Sequence, residues 1–472
     1  MVAVRRRGTW IGLAAAILLA GSSTAHAQSQ VSATVGSAPY GQTMAPGFVG
    51  MSFEYKALHI YTGRDPNAVD PVLVNLVRGL APGGSPVLRI GGDSADVSWW
   101  PVRGMLRPPG ISYVLTPGWL RTTKALAGAA GAQMIMDLNL ASGRPAVATA
   151  EARAFLQGIG RRYLQSFEVG NEPDLYPYLP LYRDQAGKAH YARGSYYTLD
   201  MFIRNFQRWR AALPNLPLAG PAFAELTWLG GMSHFLATEP RLRLVTLHRY
   251  PLRAWLTDST SPFYASIPNL LSDFSSSTLA QQVGPYAAMA HGAGHPFRVG
   301  EMNSAAGSGK WGTSNTFAAA LWVLDTLFNF ASVGVDGVNV HSLPGAAYEP
   351  FTFSHSGAWS AFVHPEYYGM LMFARAFPPG ARLLPVNAPS GPLKVWAVQT
   401  PDGHTQVVAI NKDPDNDYQV QLQVPGAEIG GQTFGDRTTS GTLPPPQWQP
   451  VLSVGGSYPV DVPAGSAVLL RQ

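Results

Sequence analysis

Two short apolar stretches of the sequence each end in a glutamate. In the first, Phe167 and Val169 alternate with polar residues and are followed, after a glycine, by Asn171 and Glu172. The second repeats the order of apolar residues, glycine and glutamate, and ends in Glu301. Alternating apolar residues are typical of a strand, so both glutamates are expected where a strand gives way to a loop. Two carboxyl groups at neighbouring strand ends are the pair that hydrolysis of a glycosidic bond requires.

Each glutamate also has a purely structural interpretation. Asn, Glu, Pro and Asp are common in turns and helix caps, and Pro173 and Asp174 directly follow Glu172. Taken alone, the first stretch is as consistent with a capped turn as with a catalytic group. The repeated pattern at Glu301 favours catalysis, because two unrelated turns have no reason to share it.

The two stretches belong to a longer alternation of strand-like and helix-like segments. This alternation predicts a parallel α/β fold, and eight strand candidates predict a closed (β/α)8 TIM barrel. An open doubly wound sheet is the alternative, but no glycine-rich phosphate loop follows an early strand. The predicted strands are 48–53, 87–90, 134–138, 167–169, 216–219, 244–248, 297–299 and 338–341. The predicted helices are 70–80, 117–130, 150–164, 196–213, 227–236, 278–291 and 313–330.

Polar side chains gather where the predicted strands end. The C-terminal ends of TIM-barrel strands meet at one face and carry the active site, so these side chains are expected to form one polar pocket. A sugar is bound by hydrogen-bonding groups and by aromatic faces. The polar candidates are Glu54, Asp93, Asp96, Asp137, Asn139, Asn171, Glu172, His248, Tyr250, Glu301, Asn303, Asn339 and His341. The aromatic candidates, which would serve equally well as core, are Trp99, Trp100, Tyr176, Tyr178, Tyr250 and Tyr348.

The chain changes character after about residue 377. Short strand-like runs at 393–398, 406–411, 418–424 and 466–470, punctuated by Gly and Pro, predict an accessory C-terminal antiparallel β-sandwich. The expected domains are the barrel at 46–376 and the sandwich at 377–472, with an N-terminal strand within 28–45 joining the sandwich. Such a chain would begin and end in its smaller domain.

Composition excludes several classes of protein. The chain has 472 residues, of which 46% are hydrophobic and 13% charged, so it can bury a large core. Residues 1–27 are predicted to be a secretory signal peptide, with three consecutive arginines, an apolar run and a small-residue cleavage site. An exported chain without cysteine indicates a secreted or periplasmic bacterial enzyme with no disulfides. Three arginines of the signal contribute to the net charge of +5. The rest of the chain has no Lys/Arg run of the kind that would indicate a nucleic-acid surface. No later segment has the long apolar pattern that would predict a membrane-spanning helix.

Three motifs carry a family resemblance. VLRIGG at 87–92, FEVGNEPDLY at 167–176 and VGEMNS at 299–304 resemble those of glycoside hydrolase family 79, the β-glucuronidase and heparanase family. The resemblance covers residues 48–368 and continues less sharply through the C-terminal region. It implies a retaining β-glycosidase that uses two glutamates in a double displacement, with no metal or cofactor. The expected partner is a glucuronide or a polysaccharide that contains uronic acid.

The resemblance also implies roles for individual residues. It makes Glu172 the acid/base and Glu301 the nucleophile, with Tyr250 supporting Glu301 and Asn171 contacting the sugar 2-hydroxyl. Glu54 and Asp93 would bind other sugar hydroxyls, and Tyr348 would lie near the carboxylate of the uronic acid.

One position departs from the family pattern. Ala306 stands where family members matched to glucuronic acid tend to have a tyrosine. The carboxylate is then expected to be held by Tyr348, by the backbone N–H groups of residues 307–309, beginning with Gly307, and by a cation such as Lys310 or Arg249. A successive-glycine turn can form an anion-binding nest.

Other functions fit the same residues. A β-glucosidase, a β-xylosidase or an endo-glycanase would use the same two glutamates. Exo or endo action depends on whether the loops 57–69, 102–113 and 175–194 close the pocket. A non-catalytic carbohydrate-binding barrel is a further alternative, but it predicts the loss of one glutamate, and both are present.

Overall fold

A closed barrel of eight parallel strands forms the centre of the protein. The computed structural model describes residues 29–425, 429–434 and 449–472, so the predicted signal peptide lies outside the described residues. The strands pair in sequence order around the barrel, and the last pairs with the first. This closure confirms the TIM barrel, because a doubly wound sheet would leave two open edges. The barrel strands one to eight are Val49–Glu54, Val87–Gly91, Gln133–Leu138, Leu164–Val169, Leu218–Phe223, Leu244–Arg249, Phe297–Met302 and Gly337–Ser342.

Each barrel strand is followed by a helix that covers its outer face. The eight helices are Pro71–Gly79, Pro117–Ala130, Pro145–Phe155, Leu199–Ala212, Met232–Thr238, Ser277–Gly292, Phe317–Ser332 and Pro365–Ala376. Nearly every residue of the strands is buried, since the helices cover one side and the barrel interior the other. Of the described helices, none is long and apolar enough to cross a membrane.

The helix Pro365–Ala376 was missing from the sequence prediction. Almost all of its residues are buried, because it packs between the barrel helix Phe317–Ser332 and the C-terminal sheets. A helix buried on all sides has no polar face and therefore no amphipathic period to detect. The predicted helix at 150–164 also differs: the helix begins at Pro145 and continues beyond Phe155 as one π turn, Leu156–Gly160.

Small β elements extend the loops at the C-terminal face of the barrel. Two hairpins, Pro180–Arg183 with Ala189–Tyr191 and Phe351–Ser356 with Ala358–Val363, follow the fourth and eighth barrel strands. A parallel pair of two-residue strands joins the loops after the sixth and seventh barrel strands: Leu252–Arg253 pairs with Ala305–Ala306. Ser98–Trp99 pairs with Tyr113–Val114 in the loop after the second strand.

Two further sheets pack face to face after the barrel. The four-stranded sheet has the order Val386–Asn387, Ser29–Val35, Tyr418–Gln423 and Tyr458–Val462. The six-stranded sheet has the order Arg382–Leu384, Leu393–Gln399, Thr405–Asn411, Ser466–Arg471, Ile429–Phe434 and Gln449–Val451. All pairs are antiparallel except that of Ser29–Val35 with Tyr418–Gln423, which is parallel. The first described strand therefore belongs to a sheet whose other strands all follow the barrel in the sequence.

A buried ion pair fastens these sheets to the barrel. The Lys412 ammonium donates to the Asp325 carboxylate at 2.7 Å and to the Ser276 hydroxyl at 3.2 Å. The other oxygen of Asp325 accepts from the indole N–H of Trp396 at 3.0 Å. The Trp396 ring stacks on Phe328, with centroids 5.4 Å apart. Both charges are almost fully buried, and the second carboxylate near Lys412, that of the exposed Asp273, is farther away at 3.5 Å.

We predict that Asp325→Leu destabilises the protein by about 3–5 kcal/mol, because it leaves the Lys412 ammonium buried without its carboxylate. Urea unfolding at neutral pH measures the loss. The double variant Asp325→Leu/Lys412→Met is the matched control, since replacing both charges by apolar groups is often neutral. If the single and double variants are equally destabilised, the ion pair is not the source of the effect.

Candidate active site

The acid/base candidate Glu172 lies in a sharp turn after the fourth barrel strand. Gly170 and Glu172 both have left-handed backbones, with φ of 85° and 48°. Pro173 then begins a short 3-10 turn that carries the chain away from the sheet. The N–H of Glu172 donates to the carbonyl of Ala222 at 3.1 Å, which ties the turn to the end of the fifth strand. A left-handed non-glycine residue is uncommon and marks a position that its surroundings hold in place.

The guanidinium of Arg89 lies at the centre of the barrel with no solvent exposure. Its five N–H groups have five acceptors, so its hydrogen-bonding capacity is filled. Burial opposes its charge, but the neighbouring carboxylates outweigh this and hold the pKa of Arg89 well above its usual range. The acceptors are Glu168 at 2.6 Å, Glu301 at 2.7 Å, Asp137 at 2.7 Å, Asn171 at 2.9 Å and Ser52 at 3.2 Å.

The nucleophile candidate Glu301 is held as a carboxylate. One oxygen accepts from Arg89 and the other accepts from the Tyr250 hydroxyl at 2.7 Å. Burial alone would raise the pKa of Glu301, but the imidazoles of His341 and His248, the Arg89 guanidinium and the Tyr250 hydroxyl hold it well below its usual range. An ionised, oriented carboxylate is the state that nucleophilic attack requires.

Glu172 lies in the opposite electrostatic environment. Burial and the charges of Glu301, Asp93 and Asp174 raise the pKa of Glu172 well above its usual range. Its Oε1 lies 3.1 Å from Nδ1 of His248, whose own pKa is lowered to about 4 by burial and by Arg89. The imidazole is therefore neutral at pH 7, and its Nδ1 can accept a hydrogen bond from Glu172 when that carboxyl is protonated. One oxygen of Glu172 and one of Glu301 lie within 4.8 Å of each other.

Three further polar candidates, Glu54, Asp93 and Asn171, lie beside this pair, whereas Asn139, Asn303 and Asn339 bond to other parts of the fold and line neither cavity. Glu54 accepts the backbone N–H groups of Asp93 at 3.1 Å and Ser94 at 2.7 Å. The Asn171 amide accepts from Arg89 and donates to Asp93 at 3.0 Å. The Asp93 side chain is open to the cavity, yet its deep position and the charges of Glu54 and Glu301 raise its pKa to about 7.

Two adjoining cavities open at this end of the barrel, which we call cavity A and cavity B. Cavity A has a volume of about 550 Å³ and contains both Glu172 and Glu301. Cavity B, of about 470 Å³, shares Glu172 and Asp93 with cavity A but does not reach Glu301. Both volumes lie within the range of small-molecule sites. The sequence candidates that line cavity A are Glu54, Asp93, Glu172, Tyr250, Glu301, Gly307 and Tyr348, and Asn171 lines cavity B.

The loop after the seventh strand differs in part from the sequence prediction. Gly307 and Tyr348 line cavity A as expected, but the N–H of Gly309 donates to the carbonyl of Ala305 and is not free for a ligand. Neither expected cation reaches the cavity. Lys310 lies over the ring of Tyr264, and Arg249 donates to Gln282 and to the Ala224 carbonyl. Each side chain has another partner in the fold, a ring for Lys310 and two oxygen acceptors for Arg249, and a linear sequence does not show these contacts.

Several residues of the site were not assigned a role from the sequence. Arg89 and Glu168 stand within apolar strands, and a charge inside a buried strand is itself a sign of a paired internal group. His248 and His341 were recognised only as polar strand ends. Arg253 and Trp255 line cavity A from the loop after the sixth strand, and no sequence pattern distinguishes them from other loop residues.

Among the described residues, one group of acidic and imidazole side chains is close enough to hold a metal ion: Glu172, His248 and Glu301. Both oxygens of Glu301 already accept hydrogen bonds, one of them from the permanent cation Arg89. A divalent cation at this place would face that guanidinium at short range, so the donor set fits a metal poorly.

Comparisons with known proteins establish the fold. The sequence matches no model of a known protein family and no curated protein sequence. The structure is similar to a 4-O-α-L-rhamnosyl-β-D-glucuronidase from Fusarium oxysporum bound to Rha-GlcA, with a TM-score of 0.73, 19% identity, and coverage of 94% of this chain and 100% of that one. It is also similar to a family 51 arabinofuranosidase from Xanthomonas axonopodis pv. citri, with a TM-score of 0.66, 15% identity and coverage of 94% and 99%. A family 30 endoxylanase from Clostridium papyrosolvens has a TM-score of 0.53, 15% identity and coverage of 93% and 99%. Membership of family 79 stays a prediction.

We predict that Glu301→Gln lowers the pKa of Glu172, because it removes a negative charge that opposes ionisation of Glu172. Carboxyl carbon NMR of the ¹³C-glutamate-labelled protein, with Glu172 assigned by mutation, measures the change. Asp258→Asn, on an exposed turn, is the control and should leave the titration unchanged. An unchanged or raised pKa in Glu301→Gln would show that the two carboxyls are not coupled.

Proposed function

We propose that the protein is a retaining β-glycosidase in which Glu301 is the nucleophile and Glu172 the acid/base. The observation that carries this proposal is the contrast between two neighbouring carboxyl groups. Arg89 and Tyr250 donate to the Glu301 carboxylate and lower its pKa, while burial and nearby carboxylates raise the pKa of Glu172 well above its usual range. Pairs of titratable groups whose surroundings separate their pKa values mark the acid and the base of a reaction.

The geometry supports a double displacement. Glu301 attacks the anomeric carbon while Glu172 protonates the departing oxygen, and water then cleaves the glycosyl ester with Glu172 acting as the base. Carboxyl groups roughly 5–5.5 Å apart are typical of retention, whereas inverting enzymes need about 6.5–9.5 Å to admit water. The separation of no more than 4.8 Å between one oxygen of each glutamate favours retention.

A β-glucuronidase is the specificity that we propose. The three sequence motifs support it, as does the position of Tyr348 and Gly307 on the cavity that holds Glu301. The Fusarium neighbour, by its description, acts on a rhamnosylated glucuronide. The natural substrate would be a glucuronide or a glycan containing glucuronic acid. We further propose that the protein is exported, on the basis of the signal sequence in residues 1–27.

We expect the wild-type protein to hydrolyse an aryl β-glucuronide with a higher kcat/KM than the matching β-glucoside, β-xyloside or β-galactoside. A contact that binds the carboxylate is expected to raise kcat/KM for the glucuronide roughly ten- to hundredfold over that for the uncharged glycosides. Rates measured at equal concentration in wild type and Ala306→Tyr test the assignment. A preference for the glucoside would overturn the glucuronidase proposal while leaving the glycosidase in place. Turnover of only a substituted glucuronide would mean that Ala306 makes room for that substituent.

A further prediction concerns the variant Glu172→Ala, which lacks the acid/base. This variant should slow substrates with poor leaving groups by on the order of 10²–10⁴-fold, because they need a proton from the enzyme. Activated aryl glycosides need no such proton in the first step, and added azide should restore their turnover by yielding the β-glycosyl azide. Glu301→Gln, the control, should stay folded and gain nothing from azide. Formation of the α-azide from Glu172→Ala would mean that the two roles are assigned wrongly or that the enzyme inverts the anomeric configuration.

A further inference from the structure

Arg253 lies beside the position where the family tyrosine is missing. The two-residue strand Leu252–Arg253 pairs with Ala305–Ala306, and Arg253 is the direct partner of Ala306. The N–H of Ala254 donates to the carbonyl of Ala306 at 2.9 Å, which fixes the two loops together. Arg253 and Ala306 both line cavity A, so the small side chain at 306 leaves space next to a guanidinium.

The Arg253 side chain is oriented but not saturated. One Nη donates to the carbonyl of Tyr250 at 3.2 Å and the other to the Glu225 carboxylate at 3.0 Å. The guanidinium carbon lies 5.8 Å from the ring of Trp255 and 5.6 Å from that of Phe263. Two of its five N–H groups are used, so three remain for a ligand. The Glu225 side chain is 43% exposed, and an ion pair at such a rim is weak enough to yield to a ligand.

The charges of cavity A give Arg253 a particular importance. Among the described residues lining the cavity, Arg253 is the only lysine or arginine. The other ionisable side chains of the lining, His341 excepted, are acidic, and those that are ionised, such as Glu301, would repel a sugar that carries a carboxylate. These acidic residues are Glu54, Asp93, Glu172, Glu225 and Glu301. A uronic acid can therefore bind with its carboxylate toward Arg253 and away from the catalytic pair.

Backbone donors lie in the same loop as Ala306. Gly307 and Ser308 both have left-handed backbones, and neither N–H has an acceptor among the described residues. A side chain at 307 would meet the Trp255 ring at 2.9 Å, so glycine is required there. The carbonyl of Ser308 accepts the N–H of Ala347 at 2.9 Å, which holds the loop next to Tyr348.

We propose that Arg253 is the residue that determines specificity for a uronic acid, binding its carboxylate together with the N–H groups of Gly307 and Ser308. The guanidinium supplies the contact that a tyrosine at 306 would otherwise make. A planar guanidinium and a carboxylate match in a bidentate pair, which adds direction as well as charge. This inference rests on the proposed glucuronidase function and names the group that sets its substrate class.

The test compares wild type with Arg253→Met, Arg253→Lys and Glu225→Gln on aryl β-glucuronide and aryl β-glucoside. Arg253→Met should reduce the glucuronide-to-glucoside ratio of kcat/KM by roughly ten- to hundredfold. Arg253→Lys should retain part of the ratio, since it keeps the charge but not the fork. Glu225→Gln should lower KM for the glucuronide, because it removes the carboxylate that competes for Arg253. Arg208→Met, on an exposed helix position, is the matched control and should leave the ratio unchanged.

Binding measurements separate failure of this inference from failure of the proposed function. Calorimetry with D-glucuronate and D-glucose, in wild type and in Arg253→Met, does not depend on turnover. Loss of glucuronate binding in Arg253→Met, with glucose binding less affected, supports the role of Arg253. If wild type cleaves the glucuronide and Arg253→Met keeps its ratio, the inference is wrong and the function stands. If wild type neither cleaves the glucuronide nor prefers glucuronate, both are wrong.

Discussion

The buried guanidinium of Arg89 is the interaction on which the rest of the site depends. Its acceptors belong to the first, third, fourth and seventh barrel strands or, for Asn171, to the turn after the fourth, so one side chain sets the relative positions of these elements. Without it, Glu168 and Glu301 would be buried anions lacking a counter-charge, a state that costs several kcal/mol per ion. A proton on Asp137 further reduces this cost of burying negative charge, because a neutral carboxyl is less costly to bury than an ionised one. Burial raises the pKa of Asp137 well above its usual range, whereas Arg89 and His248 lower the pKa of Glu168 against the effect of burial.

The same cation explains why the two glutamates differ. Arg89 bonds directly to Glu301 but not to Glu172, so its field stabilises the carboxylate of Glu301 more than that of Glu172.

Glycines make room for the carboxyl groups around this site. A side chain at Gly91 would lie 1.8 Å from the Asp137 carboxylate, and one at Gly92 would lie 2.3 Å from that of Glu54. The two glycines at the end of the second strand are therefore required for the carboxyl groups of Asp137 and Glu54 to lie against the backbone.

The sequence was sufficient for the architecture because the barrel strands are short, mainly apolar runs separated by segments long enough for helices. All eight were located, with ends within a few residues. The helix Pro365–Ala376 was missed because burial removes its polar face and it is short, whereas the similarly buried Phe317–Ser332 is a longer apolar run and was recognised. For the site, Glu172 and Glu301 could be predicted, because each lies at the end of a strand and its position depends on the local sequence. Arg253 could not be found in this way, because its position depends on a pairing between two separate loops.

The strand Ser29–Val35 affects the order in which the protein assembles. All eight barrel strands lie within residues 49–342, so the barrel is complete in the growing chain before the sandwich is synthesised. The first strand must wait for Tyr418–Gln423, its parallel partner, and until then it presents unpaired edges. Contacts between such distant residues form slowly, and exposed strand edges are sites of aggregation. The vulnerable species during synthesis is thus a chain with a complete barrel and an unpaired N-terminal β-strand, and this exposure ends only when Tyr418–Gln423 has been synthesised.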